Sequence, residues 1–149
     1  MSELLRVGAD YLSDEYAVLD GAGWVSSYHR ALAMREPGGG WDQRPQDASD
    51  FGAEVTHESV PVGLVVVTHY RAGTRWEPRR LSAGDGALAL LANTVAAQTR
   101  PKEALTATSR AVENAIVLEG DRGEAAEIAD ALLGVLKGRP LPADKDRSG

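Results

Sequence analysis

Two adjacent acidic residues, Asp14 and Glu15, lie in the middle of a segment that otherwise has the composition of a β-strand. The segment reads GADYLSDEYAVLDG over residues 8–21, with tyrosine and leucine on both sides of the acidic pair and valine after it. A buried carboxylate is costly unless it is paired or binds a metal. The pair is therefore expected either at a solvated turn or at the end of a strand, where a carboxylate has a chemical role. The residues alone favour the solvated turn.

A second set of charged residues consists of four arginines within ten positions: Arg71, Arg75, Arg79 and Arg80. One interpretation is that they are solvated side chains on a hairpin. The other is an anion site, for example for phosphate, because the guanidinium group binds such oxygens with paired hydrogen bonds. Both interpretations remain open at this point.

Composition limits the class of protein. The 149 residues are enough for one domain with a hydrophobic core. The net charge of −6 argues against nucleic-acid binding, which needs a basic face. The longest apolar runs are far below the ~20 residues of a membrane span, and the N-terminus lacks the apolar region of a secretory signal. The chain has no cysteine, which excludes thiolate chemistry and suits a cytoplasmic protein.

The elements that must position these residues are predicted to be strands in the first half. A helix end at residues 2–7, stopped by Gly8, is followed by a turn at DGAG, residues 20–23. Residues 37–50 contain three consecutive glycines and two prolines and predict a mobile loop. The predicted strands are residues 11–12, 16–19, 24–29, 30–36 and 60–70, and an edge strand interrupted by Pro78.

The second half predicts helix, helix, strand and helix. Ser82 is expected to cap a helix that continues to Gln98, and Pro101 to begin a helix that ends near Asn114. A short strand at residues 115–120 and a helix ended by Gly138 complete the domain. The fold class is therefore mixed α/β, with one domain at residues 1–138 and a flexible tail at 139–149. The residues predicted to be buried on the first two helices are Leu88, Leu91, Ala92 and Val95, and then Ala104, Leu105, Thr108, Ala111 and Val112.

Two segments carry a resemblance to a known family. LLRVGADYLSDEYAVLD, followed by SYHRALAMR, resembles the centre of HPr kinase-like proteins, which are P-loop kinases related to phosphoenolpyruvate carboxykinase. VVVTHYRAGTRWEPRRLSAGDGALALLANTV resembles the later strand, turn and helix of that family, and AIVLEGDRGEAAEIADALLGVL resembles its last strand and helix. The resemblance extends from residue 3 to about residue 137.

The resemblance implies roles for four residues. Asp14 matches the Walker B-like acid and is expected to bind Mg²⁺, while Glu15 positions a water or an arginine. Arg35 matches the basic residue at the end of a family strand, and together with Arg30 it is expected to contact phosphate or an acidic substrate. The alternative for Arg35 is a surface ion pair. His29, Arg30 and Ala31 stand where the family usually has prolines.

The sequence contains no G-x-x-x-x-G-K-[ST], the loop whose backbone N–H groups hold phosphates. The glycines at 38–40 are followed by WDQRP, without a lysine. In the family this loop and the catalytic histidine precede the matching segment, so they are expected upstream of Met1, and His29, His57 and His69 are not that histidine. The resemblance therefore implies ATP- and Mg²⁺-dependent phosphoryl transfer to a protein or peptide, with ATP binding only when the loop is supplied. The alternative is a non-catalytic binding or scaffold module. The expected partners are a second copy of the chain or a P-loop-bearing polypeptide, with no nucleic acid and no membrane.

Overall fold

A computed structural model describes residues 1–28, 30–35 and 43–139. Within these ranges the chain forms four α-helices and eight β-strands, and the strands form three small sheets, so the predicted mixed α/β class is confirmed. The helices are α1 (Ser2–Arg6), α2 (Ala83–Ala92), α3 (Pro101–Val112) and α4 (Ala125–Leu136). The strands are β1 (Val18–Leu19), β2 (Trp24–Ser26), β3 (Leu32–Arg35), β4 (Gln43–Gln46), β5 (Val60–Pro61), β6 (Leu64–Tyr70), β7 (Arg79–Arg80) and β8 (Ile116–Arg122).

The second half is built on the parallel pair β6 and β8, with β7 antiparallel on the other side of β8. The apolar sequences of β6 and β8 suit strands that are covered on both faces. On one face Val65 and Val117 pack with Ala87 of α2 and Val112 of α3. The other face forms a separate cluster, whose buried members are Trp76, Leu118, Ile128 and Leu132.

The first half contains the antiparallel sheet β1–β2–β5 and the hairpin β3–β4. The turn predicted at residues 20–23 joins β1 and β2: the Asp20 N–H donates to the Trp24 carbonyl at 3.0 Å, and the Asp20 carboxylate accepts from the N–H groups of Ala22 and Trp24. A core of its own forms from Leu5, Tyr11, Leu32, Ala48 and Ala53. Helix α1 joins the two halves, because Leu5 lies in this core while Leu4 packs against the cluster around Leu118.

The prediction of a loop over residues 37–50 is wrong for residues 43–50, the part of it that the structure describes. Residues 43–46 form β4, and a 3₁₀ helix follows at Ala48–Phe51. The strand forms because its four residues pair in register with β3, a contact between distant residues that local composition does not reveal. The glycine run at 38–40 and His29 lie outside the described residues.

The helix predicted to reach Gln98 ends at Ala92, and a 3₁₀ helix follows at Val95–Gln98. The side chains of Asn93 and Thr94 donate to the carbonyls of Ala89 and Leu90, at 2.9 and 2.8 Å, and so satisfy the last turn of the helix. The predicted buried face is also wrong, since Leu88 is 60% and Val95 76% exposed.

Helix α2 contacts the sheet through small residues. A Cβ on Gly86 would lie 2.7 Å from a methyl group of Val117, and Ala87 beside it is buried. This close approach places Leu88 on the opposite side of the helix. On α3 the predicted burial is confirmed except for Leu105, which is 44% exposed.

Helix α4 packs through Ile128 and Leu132, whereas Leu136, expected on the same apolar stripe, is 53% exposed. Gly138 follows the helix in the left-handed region at φ 78°. The predicted tail lies outside the described residues from position 140 onward. No helix in the described ranges is both long and apolar enough to cross a lipid bilayer.

Candidate functional site

The acidic pair lies in a bend that follows a short extended stretch. Tyr11 forms an isolated parallel bridge with Val55: its N–H donates to the Glu54 carbonyl at 2.8 Å and its carbonyl accepts from the Thr56 N–H at 3.2 Å. After Leu12 the chain bends, and the Ser13 hydroxyl donates to the Tyr16 carbonyl. The acidic pair therefore combines features of both interpretations, the solvated turn and the strand end. It lies in a bend, and this bend follows an extended stretch.

Asp14 is half-buried and lines a small cavity of about 130 Å³, which we call the Asp14 cavity. Its walls come from the bend itself, from Tyr28 and from the start of β3. The residues that line it are Ser13, Asp14, Glu15, Tyr16, Tyr28, Arg30, Ala31 and Ala33. Glu15 and Arg30, which the resemblance also singles out, thus line the same cavity as Asp14.

Arg30 is positioned by two contacts. Its guanidinium lies 3.5 Å from the Glu15 carboxylate, and its backbone carbonyl accepts a hydrogen bond of 2.6 Å from the Tyr11 hydroxyl. Both members of the ion pair are more than half exposed, so the pair adds little to stability. The pair joins two of the residues that line the Asp14 cavity.

The charge of Asp14 also affects the pKa of Tyr11. Burial, and next the negative charge of Asp14, raise the pKa of Tyr11 above its ordinary value of 10.0. The Tyr11 hydroxyl therefore contacts the Arg30 carbonyl, and the charge of Asp14 also acts on it.

A larger groove of about 650 Å³ lies beside the Asp14 cavity, between β1 on one side and the end of α2 and the start of α3 on the other. We call it the β1 groove. Glu15 and Tyr16 line both spaces. The other lining residues are 17–21, Leu90, 93–96, Arg100, Glu103, Ala104, Ala107 and Thr108.

The donor set around Asp14 decides which metal complex fits. Among the described residues no group of three or more histidines, cysteines, aspartates or glutamates is arranged to hold an ion. Mg²⁺ in proteins commonly takes one or two carboxylates, keeps several waters and binds substrate phosphates. Asp14 and Glu15 are the acidic residues of this cavity, so a Mg²⁺ ion here would need water and phosphate for its other ligands.

Of the four residues that the resemblance singled out, the structure brings Asp14, Glu15 and Arg30 together. Arg35 ends β3, and its side chain lies outside what the structure describes. The sequence did not indicate Tyr11 and Tyr28 as neighbours of the site. The position of Tyr11 three residues before Asp14 was the available signal, but its contact with Arg30 arises only in the folded chain.

Of the four clustered arginines of residues 71–80, two form ion pairs and two have exposed side chains outside these pairs. Arg71 lies 3.1 Å from Asp121, and Arg79 pairs with Glu119. Arg75 and Arg80 are exposed. The acids of β8 neutralise half of the set, which favours the interpretation as solvated arginines over an anion site.

Comparisons of the chain with models of protein families, with curated proteins and with solved structures find no match. The chemistry of the Asp14 cavity and of the β1 groove is therefore what supports a function.

Proposed function

We propose that this chain is the Mg²⁺- and phosphate-contacting part of an HPr kinase-like phosphotransferase, which transfers a phosphoryl group from ATP to a protein or peptide. The observation that carries the proposal is that an acid, Asp14, and a guanidinium, Arg30, line one cavity. These are the side-chain types that contact the metal and the oxygens of a metal-bound phosphate.

Three residues of the cavity, Asp14, Arg30 and Glu15, have separate roles in this proposal. Asp14 would hold the Mg²⁺ of the nucleotide, and Arg30 would contact phosphate oxygens. Glu15 orients Arg30 through the contact at 3.5 Å. The bound ion would neutralise charge on the phosphates. In the transfer, the acceptor hydroxyl oxygen bonds to the γ-phosphorus as the bond to the ADP oxygen breaks, and the hydroxyl proton passes to water.

Phosphoryl transfer depends on positioning and electrostatics, so a phosphate-binding loop is essential. The printed sequence contains no such loop. We therefore expect Mg-ATP to bind this chain weakly, and activity to require a loop supplied by another segment or a partner polypeptide. Micromolar affinity of the chain alone for Mg-ATP, measured by calorimetry, would contradict this part of the proposal.

The direct test uses the paramagnetic ion Mn²⁺ in place of Mg²⁺. Amide spectra of the ¹⁵N-labelled chain are recorded with a small amount of Mn²⁺, with and without tripolyphosphate. We expect the signals of residues 13–16 and 30–31 to broaden when both are present. Asp14→Asn should lose most of this broadening.

The control variant is Asp10→Asn, which removes an exposed carboxylate four residues away that does not line the Asp14 cavity. It should broaden like the unmodified chain. Equal broadening in Asp14→Asn and Asp10→Asn would show that the ion does not depend on Asp14 and would refute the proposal.

The second candidate function is a non-catalytic binding module. The observation that favours it is the β1 groove, whose exposed apolar side chains include Tyr16, Val18 and Val95. Exposed apolar surface of this kind commonly marks an interaction site. Binding by such a module would be unchanged in Asp14→Asn, whereas the Mn²⁺ effect of the phosphotransferase would be lost.

A further inference from the structure

Among the described residues, strand β1 has one edge without a strand partner, and that edge lies along the β1 groove. In its sheet β1 pairs only with β2, with Val18 opposite Ser26 and Leu19 opposite Val25. The bond from the Asp20 N–H to the Trp24 carbonyl fixes which residues of this antiparallel pair are bonded. Because bonded and non-bonded pairs alternate, the N–H and C=O of Leu19 point away from β2.

The floor and walls of the groove are apolar and partly open. Tyr16 is 53% and Val18 45% exposed on the strand side, and Val95 projects from the opposite side. On α3 the groove is lined by Ala104 and Ala107, whose small side chains leave space beside the strand. A gap therefore remains between the edge of β1 and helix α3, and the small side chains of α3 do not fill it.

The two threonine hydroxyls that line the groove already donate to backbone carbonyls four residues earlier. Thr94 donates to the Leu90 carbonyl at 2.8 Å, and Thr108 donates to the Ala104 carbonyl at 3.0 Å. An occupant must therefore find its polar partners at the strand edge and at the rim. Backbone groups of an extended peptide match the strand edge.

The rim of the groove carries more acid than base. Glu15, Asp20 and Glu103 line it, with Arg100 as the one cation among its lining residues. The side chains of Glu103 and Arg100 form no hydrogen bond or ion pair with other described residues, whereas Glu15 pairs with Arg30 and the Asp20 carboxylate accepts from two backbone N–H groups. This balance favours an occupant with a basic residue over an acidic one.

From these contacts we infer that the β1 groove binds an extended peptide segment with apolar and basic residues, which pairs with β1 as an additional strand. Glu15 and Tyr16 line both the groove and the Asp14 cavity, so a peptide along β1 also reaches that cavity. The use of this peptide as the phosphoryl acceptor rests on the proposed function, whereas its binding does not.

The test measures fluorescence anisotropy of a labelled peptide, Lys-Val-Ser-Val-Lys-Val with blocked ends, without nucleotide or Mg²⁺. Saturable binding is expected, and Val95→Asp should weaken it by about tenfold or more, equivalent to about 1.4 kcal/mol. The control is Leu88→Asp, because Leu88 is also an exposed apolar residue, on α2, and does not line the groove. Leu88→Asp should leave the dissociation constant unchanged.

Two further peptides separate strand pairing from general apolar adhesion. Replacing both lysines by glutamate should weaken binding, because the rim is acidic. Methylating the backbone nitrogens of alternate residues should also weaken it, since an N-methyl group removes the donors that pair with β1. Absence of saturable binding at millimolar peptide, equal effects of Val95→Asp and Leu88→Asp, or undiminished binding of the N-methylated peptide would each overturn the inference.

The outcome is independent of the phosphotransferase proposal. Asp14→Asn should bind the peptide like the unmodified chain, and Val95→Asp should retain the Mn²⁺ broadening at residues 13–16. If the unmodified chain shows Mn²⁺ broadening but no peptide binding, the peptide site alone is rejected, and if it binds the peptide but shows no broadening, the metal–phosphate site alone is rejected.

Discussion

Arg30 illustrates how single residues of the candidate site depend on neighbours from other parts of the chain. Its guanidinium is held by Glu15 and its carbonyl by Tyr11. The resemblance indicated Asp14, Glu15 and Arg30 because motif residues are visible in the sequence. It did not indicate Tyr11, because a hydrogen bond to a backbone carbonyl leaves no local pattern.

We predict that Tyr11→Phe destabilises the chain by about 1 kcal/mol, because it removes the hydrogen bond of 2.6 Å to the Arg30 carbonyl in a buried place. The free energy of unfolding in urea measures this change. The control is Tyr70→Phe, since the Tyr70 hydroxyl bonds to Glu124 on the surface. A destabilisation no larger than that of Tyr70→Phe would contradict the role given to Tyr11.

A pH dependence follows from the raised pKa of Tyr11. The folded-state pKa lies above the unfolded value of 10.0, so with rising pH the unfolded chain loses this proton first. The free energy of unfolding should therefore fall as the pH rises through about 10 toward the folded-state pKa. Urea midpoints at pH 8 and pH 10.5 measure the decrease.

Tyr11→Phe should show a smaller decrease than the unmodified chain over the same pH interval. Tyr70, whose pKa is also raised through its hydrogen bond to Glu124, is present in both proteins and cancels in the comparison. An identical decrease in the two proteins would show that the ionisation of Tyr11 is not linked to folding.

Among the elements, those defined by local chemistry were predictable and those defined by distant pairing were not. The cap of α2 is local: the Ser82 hydroxyl accepts from the Asp85 N–H at 3.1 Å, as the sequence predicts. Strand β4 is not local, because its polar residues form a strand only by pairing with β3. The buried face of α2 was also missed, since it follows from the close approach of Gly86 to Val117.

The hairpin of β1 and β2 packs on α3 through a glycine, and Gly23→Ala tests this contact. Gly23 has φ 83°, and a Cβ there would lie 2.4 Å from the backbone nitrogen of Ala111. We expect a destabilisation of about 3 kcal/mol, from the strained dihedral and the clash together. Urea denaturation gives the value.

The matched control is Gly52→Ala, because Gly52 has φ 76° and no atom within 4 Å of the position of a Cβ. It should cost only about 1 kcal/mol, the contribution of the dihedral alone. Equal destabilisation by the two substitutions would show that the contact of the hairpin with α3 adds nothing.

At the scale of the molecule, α1 joins two of the three apolar clusters, and the third packs between the β6–β8 pair and helices α2 and α3. The mixed α/β class was predictable from the alternation of apolar segments and turn residues. The placement of the Asp14 cavity next to the β1 groove was not, because it requires residues near position 15 to meet helices near positions 95 and 105. Such meetings depend on the packing of whole elements.

We predict that stability differs between the two halves in hydrogen exchange. The amide of Leu118 should be among the slowest to exchange, because Leu118 is fully buried in β8, which pairs on both sides. The hairpin β3–β4 should exchange faster, since it is only two strands wide and Pro45 offers no donor. Slower exchange in β3–β4 than at Leu118 would contradict this order.

The measurement that tests the central claim most directly is whether Mg²⁺ and phosphate bind the Asp14 cavity only together. The side-chain nitrogen signal of Arg30 is followed by NMR on adding Mg²⁺ alone, tripolyphosphate alone, and both. Because Asp14 and Glu15 are too few to form a protein cage for an ion among the described residues, the signal should shift substantially only with both present. A full shift with Mg²⁺ alone, or no shift with both together, would contradict the account.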